Sequence, residues 1–283
     1  MRRRLSRREG VIPVRKPIMA GNWKMNCDND EAQALADGVL ARAGQVEDAI
    51  VILCPPATAL TTVHAAIANS NIKLGGQNMF WDEEGAFTGE IAAKMLLSCG
   101  CEYVIIGHSE RRGRFGTVDE ADAEDLAAIF GDTDATVNRK VRAALAAGLK
   151  PIACCGELLS ERQAGKTDGV VAAQVRAMLD GVDDEGVASM VIAYEPVWAI
   201  GTGEVCDADE AGRVCGMIRD VVEQACGPEL AEGMQILYGG SVKPDNVEGL
   251  MAMADIDGGL VGGASLKADS FGALVKAAVG SVQ

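Results

Sequence analysis

Apolar, β-rich runs recur along the chain, each ending near a glycine, an asparagine or a charge: Ile18–Gly21, Ala49–Cys54, Ile72–Gly75, Tyr103–Gly107, Pro151–Cys155, Met190–Tyr194, Gln235–Tyr238 and Gly259–Val261. Between them lie helix-period segments rich in alanine and leucine, among them Asp30–Ala43, Thr58–Ala68, Thr133–Ala147, Asp207–Cys226 and Ser265–Val279. The strand runs are continuous rather than alternating, which is what burial on both faces requires. Strict alternation of strand and helix implies a parallel sheet with right-handed crossovers. Eight such units in about 265 residues match an α/β fold of the closed (β/α)8 barrel type. An open doubly wound sheet is the competitor. It usually carries GxGxxG after its first strand, and here that strand leads into Asn22-Trp23-Lys24-Met25-Asn26. No linker or composition shift divides residues 17–283, so one domain suffices.

Composition narrows the partners. Hydrophobic content of 48% and charged content of 24% are ordinary for a globular chain. The net charge of -15 argues against nucleic acid or an anionic membrane. A phosphate remains possible, because charges beyond roughly 8 Å are screened and a few local donors decide its binding. Residues 1–16 stand apart as a basic extension: Arg2, Arg3, Arg4, Arg7, Arg8, Arg15 and Lys16 face only Glu9. No apolar core follows it, so it is not a secretory signal. A disordered tail or a translation start placed too early is expected, with an organelle-targeting segment as the alternative. No stretch of about 18 apolar residues is present to span a membrane. The nine cysteines have no CxxC pair, and only His64 and His108 could join a histidine-based metal site. The cysteines read as small buried hydrophobes in a reducing compartment, which makes the cytoplasm the expected location.

In such a barrel the active site lies at the C-terminal ends of the strands. Strand one then delivers Asn22 and Lys24, strand four His108, and strand six Glu195. Strand seven delivers Gly239, Gly240 and Ser241, and strand eight Gly262 and Gly263. Glu195 precedes Pro196, which fixes its own φ and pushes the glutamate toward extended geometry at a strand end. The segment Pro196-Val197-Trp198-Ala199-Ile200-Gly201-Thr202-Gly203 has the composition of a lid, stiff at one end and permissive at the other. The plain alternative is a solvated glutamate before an ordinary turn.

The other candidates have plain alternatives too. Lys24 could be a surface lysine and His108 a satisfied core histidine. Ser109 suits an N-cap and Glu110 a first helical turn, so His108 would feel a partial positive charge that keeps it neutral. The Gly-Gly turns after strands seven and eight could be turns alone, or bare backbone N–H groups for an anion. Gly-His-Ser-Glu-Arg lacks the closing glycine of a nucleophile elbow, so a serine hydrolase is excluded. One base, one neutral electrophile, one cation, one phosphate cradle and a lid suit proton abstraction beside a carbonyl in a small phosphorylated substrate. That chemistry asks for no cofactor and no metal.

Over residues 17–283 the chain resembles the triosephosphate isomerase family. The resemblance rests on Gly21–Asn26, Gly85–Glu90, Gly107–Arg112, Ala193–Gly203, Tyr238–Val242 and Val261–Leu266. It implies a single-domain TIM barrel that isomerises triose phosphates. By this resemblance Glu195 is the base, His108 polarises the carbonyl, and Lys24 offsets negative charge with Asn22 beside it. Gly201, Ser241, Gly262 and Gly263 would bind the phosphate. Glu110 would support Lys24, Ser109 would hold Glu195 while the lid is open, and Tyr238 with Ser241 would latch the closed lid. The resemblance also implies a homodimer made by inserting the Asn78–Glu90 loop into the partner, with Thr88 near Asn22 and Lys24 of the partner subunit.

Three segments depart from the family pattern. The basic extension matches nothing in it. About 15 extra residues fall between Arg112 and Phe130, an acidic insertion at about 114–128 that includes Asp119–Asp125 and is expected to form a helix or loop. The lid's far hinge reads Glu204-Val205-Cys206, where the family more often begins with lysine. Two other functions stay open on the sequence: a related barrel isomerase for a larger phosphosugar, which the short apolar lid tip disfavours, and a silent barrel that binds a partner through the acidic insertion.

Overall fold

The computed structural model describes residues 15–116, 125–126 and 128–280. Among them eight strands run parallel in chain order and close into a barrel through β8 and β1. They are β1 Ile18–Asn22, β2 Ile50–Cys54, β3 Lys73–Gly76, β4 Tyr103–Ile106, β5 Lys150–Cys155, β6 Val191–Tyr194, β7 Gln235–Tyr238 and β8 Gly258–Val261. The register sets Ile18 beside both Ile50 and Gly258, so β1 is central in the ring rather than an edge. The expected strands all form, with ends moved by a residue. Gly107, expected inside β4, lies beyond it because its φ of +67° turns the chain out of the strand.

Closure explains why the strands read as continuously apolar. Alternate residues point to two separate cores. Ile18, Ala20, Ile52, Ile105, Ile152 and Leu237 fill the barrel interior. Met19, Val51, Leu53, Val104, Ile106 and Ile192 face the surrounding helices, where Val39, Val141, Val175, Ile218 and Leu274 meet them. The predicted helices appear as Asn29–Ala43, Leu60–Ala66, Asp134–Ala146, Ala208–Cys226 and Ala268–Gly280. Their starts follow ordinary capping chemistry: Asp28 and Thr133 form capping boxes, and Asp207 accepts the Glu210 N–H.

At the floor of the barrel, opposite the site, Arg219 is buried. It bonds Asp257 and Asp255 at 2.8 Å each, and two backbone carbonyls besides. Arg15, which the charge pattern groups with the basic extension, joins this network through Asp257 at 2.6 Å and Glu232 at 3.0 Å. Residues 1–14 of that extension lie outside the described residues. So do residues 119–124 of the acidic run, while residues 125, 126 and 128–130 are helical.

Candidate active site

The strand ends assemble as the barrel rule requires. A cavity of about 760 Å³ opens there, lined by Asn22, Lys24, His108, the lid tip Ala199–Gly201, Ser241, Gly262 and Gly263 among others. Lys243 and Lys267 also line it, and neither makes an ion pair among the described residues.

Glu195 follows β6 directly and is 1% exposed. Its N–H continues the sheet by donating to Cys155 O at 2.7 Å. Gly156 lies against this backbone so closely that a Cβ there would stand 1.7 Å from Glu195 O. The carboxylate accepts the Ser109 N–H at 3.0 Å and the Ser109 hydroxyl at 3.3 Å, and His108 Nε2 lies 2.9 Å from Oε1. Burial works to raise this carboxyl. The His108 contact, the Ser109 N–H and nearby Lys24 outweigh it and hold the group below the ordinary glutamate value.

His108 caps a four-residue 3-10 helix, Ser109–Arg112. The Glu110 N–H donates to His108 Nδ1 at 3.2 Å, so Nδ1 carries a lone pair and the ring proton belongs on Nε2, facing Glu195. The sequence expected a helix N-terminus to act on this ring, but the device differs. The cap falls on His108 itself rather than on Ser109, whose hydroxyl turns to Glu195. A single N–H aimed at Nδ1 fixes the tautomer, because so short a helix has little dipole to offer.

Lys24 donates to Glu110 Oε1 at 2.7 Å, and its own N–H goes to Asn22 Oδ1 at 3.0 Å. Its backbone is left-handed, with φ of +53°, a conformation costly for a residue with a side chain and found where function over-determines it. Gln77 holds it there by donating to Lys24 O and Cys54 O, each at 2.9 Å.

The lid leaves the barrel as Pro196 and a 3-10 turn over Val197–Ala199. Gly201 and Gly203 take positive φ, and Thr202 closes the tip onto Trp198 O at 2.7 Å. Its root is fixed by Glu157, a fully buried carboxylate after β5. Trp198 Nε1 donates to it at 2.9 Å and the Tyr194 hydroxyl at 3.2 Å, while the Arg162 guanidinium stacks on the Trp198 ring at 4.2 Å. Burial pushes the Glu157 carboxyl up despite these bonds. At the far hinge the Cys206 thiol donates to Asp207 O at 3.7 Å, and burial raises that thiol to about 12.

Sequence reasoning missed Glu157, Gln77 and Gly156. Glu157 and Gly156 stand just past β5, so the strand-end rule had a place for them. No motif marked them, since Tyr194 and Trp198, which bond Glu157, and Glu195, which packs on Gly156, lie 37 or more residues away. Among the described residues no cluster of three histidine, cysteine or acidic groups could hold a metal ion, and no helix is long and apolar enough to cross a membrane.

Comparison with known proteins bears on the same residues. A family model described as triosephosphate isomerase matches residues 17–278. A triosephosphate isomerase of Roseiflexus sp. (strain RS-1) is 49% identical over 258 residues, 91% of this chain and 96% of its own length. One from Geobacter metallireducens is 49% identical over 262 residues, 93% of this chain and 98% of its own. The crystal structure of triosephosphate isomerase from Bartonella henselae superposes with a TM-score of 0.79 at 36% identity. That alignment covers 93% of this chain and 98% of the other.

Proposed function

The chain belongs to the triosephosphate isomerase family, and from that premise we propose how its residues divide the reaction. The protein interconverts dihydroxyacetone phosphate and D-glyceraldehyde 3-phosphate by proton transfer through an enediolate, a step of glycolysis and gluconeogenesis.

In our reading Glu195 takes the carbon-bound proton. His108 donates from Nε2 to the substrate oxygens and moves protons between them, which suits a neutral ring better than an imidazolium. Lys24, with Asn22 beside it, offsets charge as the enediolate forms, and Glu110 keeps the ammonium aimed. The backbone N–H groups of Gly201, Ser241, Gly262 and Gly263 take the phosphate, helped by the ammonium groups of Lys243 and Lys267, which meet no carboxylate among the described residues. Preorganised donors of this sort are worth on the order of 10²–10³-fold each. The observation that carries the reading is the His108 ring: its proton is committed to Nε2, 2.9 Å from the base, by the Glu110 N–H on the other nitrogen.

Ser109 now occupies Glu195, so the base must leave it to meet substrate. Closure of Pro196–Gly203 supplies that movement and excludes water, a gating step for which this family is itself a standard illustration. Tyr238 and Ser241 latch the closed lid. The test is a coupled isomerase assay. Wild type should turn over both triose phosphates, and Glu195→Gln should lose about 10³-fold or more, within the usual worth of a positioned base. A folded wild type without turnover overturns the reading.

We also assign the partner and the location. Residues 82–90 are exposed, and behind them Phe80 stacks on Trp81 at 4.0 Å and meets Phe87 at 4.3 Å, a firm base for a protruding loop. Met25, next to Lys24, is 96% exposed. A second copy inserting its Asn78–Glu90 loop covers both, with Thr88 near Asn22 and Lys24 of the partner subunit. Sedimentation should give a dimer, and a monomer at micromolar concentration overturns it. The cytoplasm suits this activity and the nine free thiols, and cell fractionation checks it.

A further inference from the structure

The residues that depart from the family pattern after Arg112 begin as a short strap lying on the lid. Gly113, with φ of +65°, turns the chain, and the Arg114 N–H donates back to Ser109 O at 2.9 Å. The Arg114 guanidinium pairs with Glu161 on the helix Leu159–Gln163, which also carries Arg162 beneath Trp198. The Phe115 ring meets Phe130 edge-on at 6.1 Å. The strap is therefore fastened on both sides before it reaches the lid.

At Gly116 it meets lid backbone. A Cβ at this position would stand 2.5 Å from Ile200 O, 2.6 Å from Val197 O and 2.9 Å from Thr202 Cγ2. Gly116 is not among the glycines with positive φ, so no left-handed backbone demands a glycine there. What excludes a side chain is the lid. This contact coexists with Glu195 held by Ser109, the arrangement in which the base is withdrawn.

We propose that Arg114 and Gly116 are positioning residues for the isomerase reaction: the strap they form braces Val197–Thr202 in the withdrawn state and biases the lid toward opening. The proposal rests on the reading of Pro196–Gly203 as a lid over a triose phosphate. A contact made in only one of two states shifts the equilibrium by its full differential strength, and a ligand that needs the other state binds more weakly by the same factor. Loosening the strap should therefore tighten ligand binding.

Two variants remove the brace by different routes. Arg114→Met frees the strap from Glu161, and Gly116→Ala sets a methyl where the lid carbonyls now lie. For each, KM and the dissociation constant for glycerol 3-phosphate, an unreactive analogue, should fall by about threefold with kcat unchanged or lower. Arg114→Lys should restore wild-type values. Gly169→Ala, a position where a Cβ meets nothing within 4 Å, should change nothing. In protein labelled with 5-fluorotryptophan and free of ligand, the Trp198 fluorine resonance should shift in both strap variants and not in the control.

Unchanged or weaker binding with an unmoved Trp198 resonance overturns the brace, and should one variant fail to fold the other decides. The isomerase reading fails separately, through absent turnover in wild type. The Trp198 signal needs no turnover at all.

Discussion

Ser109 grips Glu195 by both carboxylate oxygens, its N–H 3.0 Å from Oε2 and its hydroxyl 3.3 Å from Oε1. The proposed base is thus parked on the residue next to the proposed electrophile, His108. Two mutants separate parking from chemistry. Glu195→Gln removes the base and should lower kcat by about 10³-fold. Ser109→Ala removes only the hydroxyl half of the grip and should change kcat/KM by no more than about 10²-fold, since a single hydrogen bond to a charged group is worth roughly 1.5–3 kcal/mol at most. The coupled assay on both variants checks the ratio.

The acid limb of kcat/KM should reflect the same grip. Glu195 is held below the ordinary glutamate value of about 4.3, so it stays ionised and active down to that pH and is lost only below it. A depressed carboxyl also stabilises the fold above its unfolded value and forfeits that contribution as pH falls through the folded one. His108→Gln removes the largest of the favourable contacts and should move the limb upward. A pH–rate profile of the free enzyme decides, and a wild-type acid limb above about pH 5 contradicts the assignment.

Glu157 should behave in the opposite sense. Burial raises its carboxyl, so its contribution to stability is greatest in acid and declines as pH rises from about 4.3 through the folded value. Glu157→Gln removes this ionisation and should flatten the pH dependence of Tm within that window. It also leaves one acceptor where Trp198 and Tyr194 both donate. Trp198 emission should shift to the red and kcat should fall by about tenfold, because a misplaced lid root acts on a distant tip. Thermal melts across pH, with emission spectra, test both parts.

The floor of the barrel carries stability without chemistry. Arg219→Met strands Asp257 beside the remaining Arg15 and should cost about 3–5 kcal/mol, the usual result of breaking a buried pair from one side. Arg15→Met should cost less, near 1–2 kcal/mol, as Arg219 still holds Asp257. In both variants kcat and KM at a temperature where the fold persists should equal wild type. Urea unfolding and the assay together check this.

The two arginines show where local reading stops. Arg219 sits inside a helix whose period is plain in the sequence, yet its burial against Asp257 crosses 38 residues. Arg15 belongs by charge to the basic extension and by contact to the barrel floor. Glu157 and Gln77 were invisible for the same reason: each serves a partner on another element, and nothing in its own neighbours announces it. The placing of the cap on His108 rather than Ser109 was also undecidable, because it depends on Glu195 arriving from β6 to claim the Ser109 hydroxyl.

By itself the sequence determined the eight alternating units, the residues delivered at the strand ends, and the place of Glu195 directly after β6 and before Pro196. Those are consequences of hydrophobic period and local sterics, which act within a few residues. Only the tertiary structure decided the His108 tautomer, the left-handed Lys24 braced by Gln77, the Glu157 anchor of the lid and the strap at Gly116. Each needs a donor and an acceptor, or two backbones, brought together from distant strands, and closing the barrel in one register is what sets those distances.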